Sequence, residues 1–216
     1  MPKIKQSYKL LFSVLILSAT SCKKDPIQYT FSGTVTESSN GTSLSNVSVE
    51  VLQRTYNGSV ASAYFNSAGS TTTAADGTWE VSFDREKVFE FKINIVEDGY
   101  FDVSEIISSS EVSTDETEVI NYALEPKSWL SFHLKNFGGL PTDEFTIIYY
   151  NFREGCDGCT TNDYHYFMGE VDTTFHILTT GGVYAKYAYK NPGSVVYFTD
   201  SVYVPPLDTV GVTINY

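Results

Sequence analysis

Hydrophobic side chains in this chain recur every second residue and almost nowhere at the helical spacing of 3.6. Phe89, Phe91, Ile93 and Ile95 alternate with Glu90, Lys92 and Asn94, and Val47, Val49 and Val51 alternate with Ser48, Glu50 and Leu52. Successive side chains of an extended strand point to opposite faces, so each run predicts one buried and one wet face. Between such runs stand Asn40-Gly41, Asn57-Gly58, Asp76-Gly77, Asp98-Gly99 and Asp157-Gly158, dipeptides that accept the positive φ of tight turns between antiparallel strands. No segment reads as a capped helix. The pattern predicts an all-β protein of two tandem β-sandwich domains.

The first 21 residues stand apart from that pattern. Lys3, Lys5 and Lys9 precede an apolar run from Leu10 to Leu17, which is far shorter than the ~20 residues a membrane-spanning helix needs. It predicts a removable export signal over residues 1–21. Ala19-Thr20-Ser21 ahead of Cys22 resembles the lipobox of bacterial lipoproteins of the Bacteroidota type, with Ala19 where most lipoboxes carry Leu. The resemblance implies acylation of Cys22, a short tether over 22–27, a membrane partner reached through lipid, and an outer-membrane location facing the periplasm or the cell surface. Two or more acyl chains hold a protein on its membrane where one does not. An ordinary signal-peptidase site, which Ala19-Thr20-Ser21 also fits, and an uncleaved cytosolic chain are the competing readings.

Loss of the three signal-peptide lysines takes the formal charge from −12 to −15. With only Arg54, Arg85 and Arg153 as arginines, the chain lacks the cations that displace counterions from phosphates, so nucleic acid is not an expected partner. The remaining residues, about 195 of them, suit two small domains. Gly33 and Val35, Gly41 and Leu44, Val47 and Val49, Asp76-Gly77 with Trp79, and Gly99-Tyr100 follow one another in an order that resembles the carboxypeptidase regulatory-like domain. That resemblance covers residues 28–125 and implies a transthyretin-like seven-stranded accessory sandwich without catalytic residues. Ser43 stands where that family usually has proline. Leu44, Trp79 and Tyr100 are expected in the core. Residues 126–216 resemble no family and are expected to supply about seven further strands in a second sandwich, Ig-like or transthyretin-like, beyond a break at Leu124 to Lys127 where proline bars continued pairing.

Three features of the second half bear on function. Cys156 and Cys159 flank Asp157-Gly158 between strand-like runs, and in an oxidising envelope they are expected to pair. Redox chemistry, or zinc held with His165 and drawn on His133 or His176, are the alternatives. No Gly-x-Ser-x-Gly, His-Glu-x-x-His or phosphate-cradling glycine loop occurs, and Asp115-Glu116 and Asp143-Glu144 read as solvated turns. No enzyme activity, metal or cofactor is therefore expected. Finally, both faces of the strand around Phe145 to Phe152 are aromatic or aliphatic, and Tyr184 lies opposite Tyr187 and Tyr189. Tyr150, Phe152 and Tyr184 are accordingly candidate ligand-binding residues, unless these tyrosines only thicken the core. The expectation is a non-catalytic membrane-anchored lipoprotein of the cell envelope that acts as a structural or protein- or ligand-recognition module, with envelope proteins or glycans as its partners; a glycan-binding lipoprotein of a polysaccharide-uptake system is the alternative, and a metal or redox protein using Cys156 and Cys159 a minor one.

Overall fold

A computed structural model describes residues 27–150 and 164–216. The expected export signal over residues 1–21, and Cys22, Phe152, Cys156 and Cys159, lie outside the described residues. Within them the chain is all β, two tandem sandwiches each closed around its own core.

The first sandwich contains β1 (Gln28–Glu37), β2 (Ser48–Asn57), β3 (Val60–Ala61), β4 (Asn66–Thr72), β5 (Thr78–Asp84), β6 (Val88–Val96), β7 (Val103–Ser108), β8 (Glu118–Val119) and β9 (Tyr122–Leu124). One sheet pairs β5 with β1 and β1 with β8 and β9; the other runs β3-β2-β6-β7, with β4 also on β2. Phe31, Val35, Val47, Val49, Val51, Phe91, Ile93, Ile95 and Leu124 are fully buried between them. Trp79 and Tyr100 join that core and Leu44 packs against it, as expected. Gly77 adopts φ 79°, and a Cβ there would stand 2.6 Å from the carbonyl oxygen of Val35, so only glycine turns the chain so close to β1.

Phe89 departs from its predicted place. The register of β6 against β2 shifts between Arg54 and Thr55, a bulge that turns Phe89 outward and seats Val88 in the core in its stead. Exposed, Phe89 stacks under the Arg54 guanidinium at 4.8 Å and meets the Tyr56 ring edge-on at 5.7 Å.

The second sandwich contains β10 (Lys127–Asn136), β11 (Glu144–Tyr149), β12 (His165–Met168), β13 (Val171–Thr180), β14 (Val183–Lys190), β15 (Phe198–Val204) and β16 (Thr209–Asn215). Its sheets run β13-β10-β16 and β12-β11-β14-β15. Leu130, Phe132, Leu134, Phe145 and Ile147 are buried between them. Phe132 meets Tyr187 edge-on at 5.1 Å, and Phe145 stacks on Tyr216 at 4.1 Å. The apolar-rich stretch Tyr164 to Val171 is broken by a turn at Gly169 (φ 71°), so that β12 and β13 belong to different sheets.

Between the sandwiches the backbone is bonded rather than loose. Pro126, lacking an N–H, ends the pairing of β9, yet its carbonyl accepts from Gly181 N at 2.8 Å. Lys127 N donates to Gly99 O at 2.7 Å and Phe101 N to Glu125 O at 3.0 Å. Nearby, buried Glu37 accepts from Tyr100 Oη at 2.8 Å, from Asn40 Nδ2 at 3.0 Å and from Ser39 Oγ.

Candidate functional site

Strand register decides which tyrosines of the second sandwich face water. In β12-β11-β14-β15, Ile147 pairs with Tyr189 and Tyr149 with Tyr187. These four side chains point inward and are buried or half-buried. The alternate positions point outward: Glu144, Thr146, Ile148 and Tyr150 on β11 and just past it, and Tyr184, Lys186, Ala188 and Lys190 on β14. On β15 the outward positions are Thr199, Ser201 and Tyr203. On β12 they are Tyr166 and Met168, with Tyr164 one residue ahead of the strand.

The tyrosines form two groups on that face. Tyr164 stacks beside Tyr166 with ring centroids 6.2 Å apart and meets Tyr197 edge-on at 6.4 Å, while Lys190 Nζ lies 5.8 Å from the Tyr197 ring. Lys190 also lies 4.0 Å from Glu144 Oε1. Toward the junction with the first sandwich, Tyr184 packs against Tyr203 at 5.5 Å. Tyr150 N donates to Lys186 O at 2.9 Å, which places Tyr150 beside Lys186. Tyr150 is 49% and Tyr184 66% exposed. Between the two groups Ile148, Ala188 and Thr146 are buried.

The other outer face of the same sandwich differs in kind. On β13-β10-β16 the outward positions are Trp129, Ser131, His133 and Lys135, with Asp172, Thr174 and His176 across from them. His133 Nε2 meets Asp172 Oδ1 at 2.7 Å, and this hydrogen bond holds the Asp172 carboxyl below its ordinary range. Aromatic exposure is thus concentrated on one sheet.

Of the candidates read from the sequence, Tyr150 and Tyr184 share the tyrosine-bearing face, and Phe152 lies outside the described residues. Tyr164, Tyr166, Tyr197 and Tyr203 were not singled out in the sequence. The alternation in "YHYFM", with tyrosines at 164 and 166 around His165, was the available signal for the first two. His165 lies on the inner side of its sheet, stacked on Tyr149 at 5.7 Å and Phe175 at 5.8 Å. His133 and His176 lie on the outer side of the opposite sheet, so the three histidines do not converge. Among the described residues no group of three His, Cys, Asp or Glu side chains could hold a metal ion. In the first sandwich an open hollow of about 600 Å³ is lined by Ser32, Thr71, Thr78, Trp79 and Asn121, with Glu80 as its one carboxylate. It offers hydroxyls but no acid–base pair.

No protein-family model and no curated protein matches the chain. Among solved structures, the Bacillus anthracis TIE protein is similar at 13% identity and a TM-score of 0.38, over 88% of this chain and 34% of that one. A streptococcal ancillary pilin is similar at 13% identity and a TM-score of 0.36, over 88% of this chain and 63% of its own. GBS52, the minor pilin of Streptococcus agalactiae, gives 15% and 0.35, over 87% and 94%. The chain therefore spans about a third of the first and under two thirds of the second. Similarities this distant assign no function.

Proposed function

We propose that this protein is a non-catalytic recognition module of the cell envelope, tethered by acyl chains on Cys22 and displaying the β12-β11-β14-β15 face of its second sandwich. In this reading the first sandwich is an accessory spacer, as its resemblance to the carboxypeptidase regulatory-like domain implies. The backbone bonds at Glu125 to Lys127 would hold the second sandwich at a set angle to it. The observation that carries the reading is the inequality of the two outer faces. Six exposed tyrosines, at 150, 164, 166, 184, 197 and 203, occupy one sheet, while serine, threonine, histidine and charged side chains dominate the other. A tyrosine ring is large and rigid and ends in a hydrogen-bonding group, which suits a surface that is dry when occupied and soluble when bare.

The test is a footprint. Tyrosine iodination of the purified protein and of intact cells, read peptide by peptide, is expected to label Tyr166 and Tyr184 severalfold less on cells. Equal labelling in both would refute the proposal.

A further inference from the structure

Resting on the acyl tether proposed above, we infer that the first sandwich leans on the membrane that carries it. Its contact is the outer face of β2 and β6 at the end where β1 begins, docked on the phospholipid headgroup layer.

Reach sets the geometry. Cys22 lies five residues before Ile27, a stretch that spans at most about 18 Å. Ile27 O accepts from Arg85 N at 2.9 Å, which fixes the exit of the tether at the loop between β5 and β6. β1 runs away from that point, and its far end, at Glu37, meets Tyr100 by the junction with the second sandwich. Acyl chains on Cys22 therefore keep the β5–β6 end within about 20 Å of the bilayer.

The side chains at that end differ from those on the rest of the sandwich. Residues 28–125 hold sixteen Asp and Glu but only four Lys and Arg, and all four, Arg54, Arg85, Lys87 and Lys92, lie on β2, β6 and the loop before β6. Arg54 is paired with Glu90 at 3.0 Å. Arg85, Lys87 and Lys92 have no ion pair among the described residues. Arg54 lies over Phe89 at 4.8 Å and over Phe65 at 5.5 Å, Lys92 over Phe65 at 5.8 Å and Lys87 over Tyr56 at 5.0 Å. In the turn from β2 toward β4, Tyr64 is 78% and Val60 71% exposed. Aromatic rings settle at headgroup level, and Lys and Arg reach past them to phosphate, so this mixture suits a bilayer surface better than open water.

Register and connectivity limit the patch. Leu52 pairs with Lys92 and Lys92 with exposed Ile106; two residues nearer the second sandwich the row becomes Glu50, Asn94 and Ser104. The β7–β8 connection, which crosses from the edge of this sheet to β1, carries Glu111, Asp115 and Glu116. Anionic lipid repels that side and accepts the β2–β6 side, and the difference gives the lean its direction.

The test places the full-length protein in vesicles of phosphatidylcholine and phosphatidylglycerol with brominated acyl chains and reads tryptophan quenching. The emission added by Tyr64→Trp should be quenched severalfold more than that added by Ser113→Trp, on the acidic connection, or by Tyr166→Trp, on the second sandwich. Lys87→Glu with Lys92→Glu, built into the Tyr64→Trp protein, should reduce its quenching severalfold with the circular dichroism unchanged. Equal quenching at the three positions, or none at Tyr64→Trp in protein that floats with the vesicles, overturns the docking and leaves the tether standing. Indifference to the charge reversal overturns the assignment of phosphate to these cations. Protein that fails to float lacks the tether, which overturns that reading and this inference together.

Discussion

Two tyrosines three residues apart on β14 should behave as if they belonged to different proteins. Tyr187 is 4% exposed, edge-on to Phe132 at 5.1 Å, with its hydroxyl donating to Asp200 at 3.2 Å; Tyr184 is 66% exposed and touches Tyr203. Truncating Tyr187 to alanine returns roughly 150 Å² of buried ring to the bookkeeping of water contact. At about 25 cal/mol per Å² that is ~4 kcal/mol, within the ~3–5 kcal/mol range of buried aromatic truncations. Tyr184→Ala forfeits one cross-strand contact, about 0.5 kcal/mol. With a urea slope near 1 kcal/mol per molar for a domain of this size, the second sandwich's midpoint should fall by about 4 M in the first variant and by less than about 1 M in the second. Tryptophan fluorescence reads this directly, because the two tryptophans, Trp79 and Trp129, are divided between the sandwiches. A Trp129→Phe background identifies which transition is which. Equal shifts, or a larger shift for Tyr184→Ala, would refute the assignment of inner and outer faces.

Gly33→Ala should unfold or severely weaken the first sandwich, because its Cβ would sit 1.7 Å from Ile120 O and push the β8–β9 segment off β1. A loss of about 3 kcal/mol or more in the Trp79 transition is expected. Burial, then the hydrogen bond to Glu37, pushes Tyr100 up to about 12, and burial with Asp200 does the same for Tyr187. A raised pKa in the folded state means stability fully present below pH ~10 and lost as pH climbs toward 12. Tyr100 and Tyr187 should therefore ionise only with unfolding, as pH climbs past about 10 toward 12, read by tyrosinate absorbance against circular dichroism in the wild type and in Tyr100→Phe; their ionisation in the folded protein near pH 10 would contradict it. Cys22→Ser should abolish incorporation of labelled palmitate and release the protein from the membrane fraction, while persistence of label would place the acyl chains elsewhere.

Much of the fold was legible because its cause is local. Val47, Val49 and Val51 alternate and are all fully buried, and the glycines of four Asn-Gly and Asp-Gly turns do take positive φ. What escaped depends on partners. Phe89 fits the alternation, but the bulge that expels it is set by β2. The polar strand Asn66 to Thr72 carries no apolar signal, since Gly69 contributes by being small: a Cβ there would stand 2.7 Å from Val81 Cγ1. At the site, alternation placed Tyr184 opposite Tyr187, yet which of the two met water depended on where the other sheet packed. Tyr166 and Tyr197 lie 31 residues apart in sequence, and only the strand order places them on one face.

A strand slipped by one residue would exchange every inner and outer side chain of the face, and Tyr149 and Tyr150 are the neighbours that report it, at 2% and 49% exposure. Nitration of the purified folded protein, quantified at each of the two residues, should modify Tyr150 at least about tenfold faster. Comparable rates, or faster modification of Tyr149, would contradict the account.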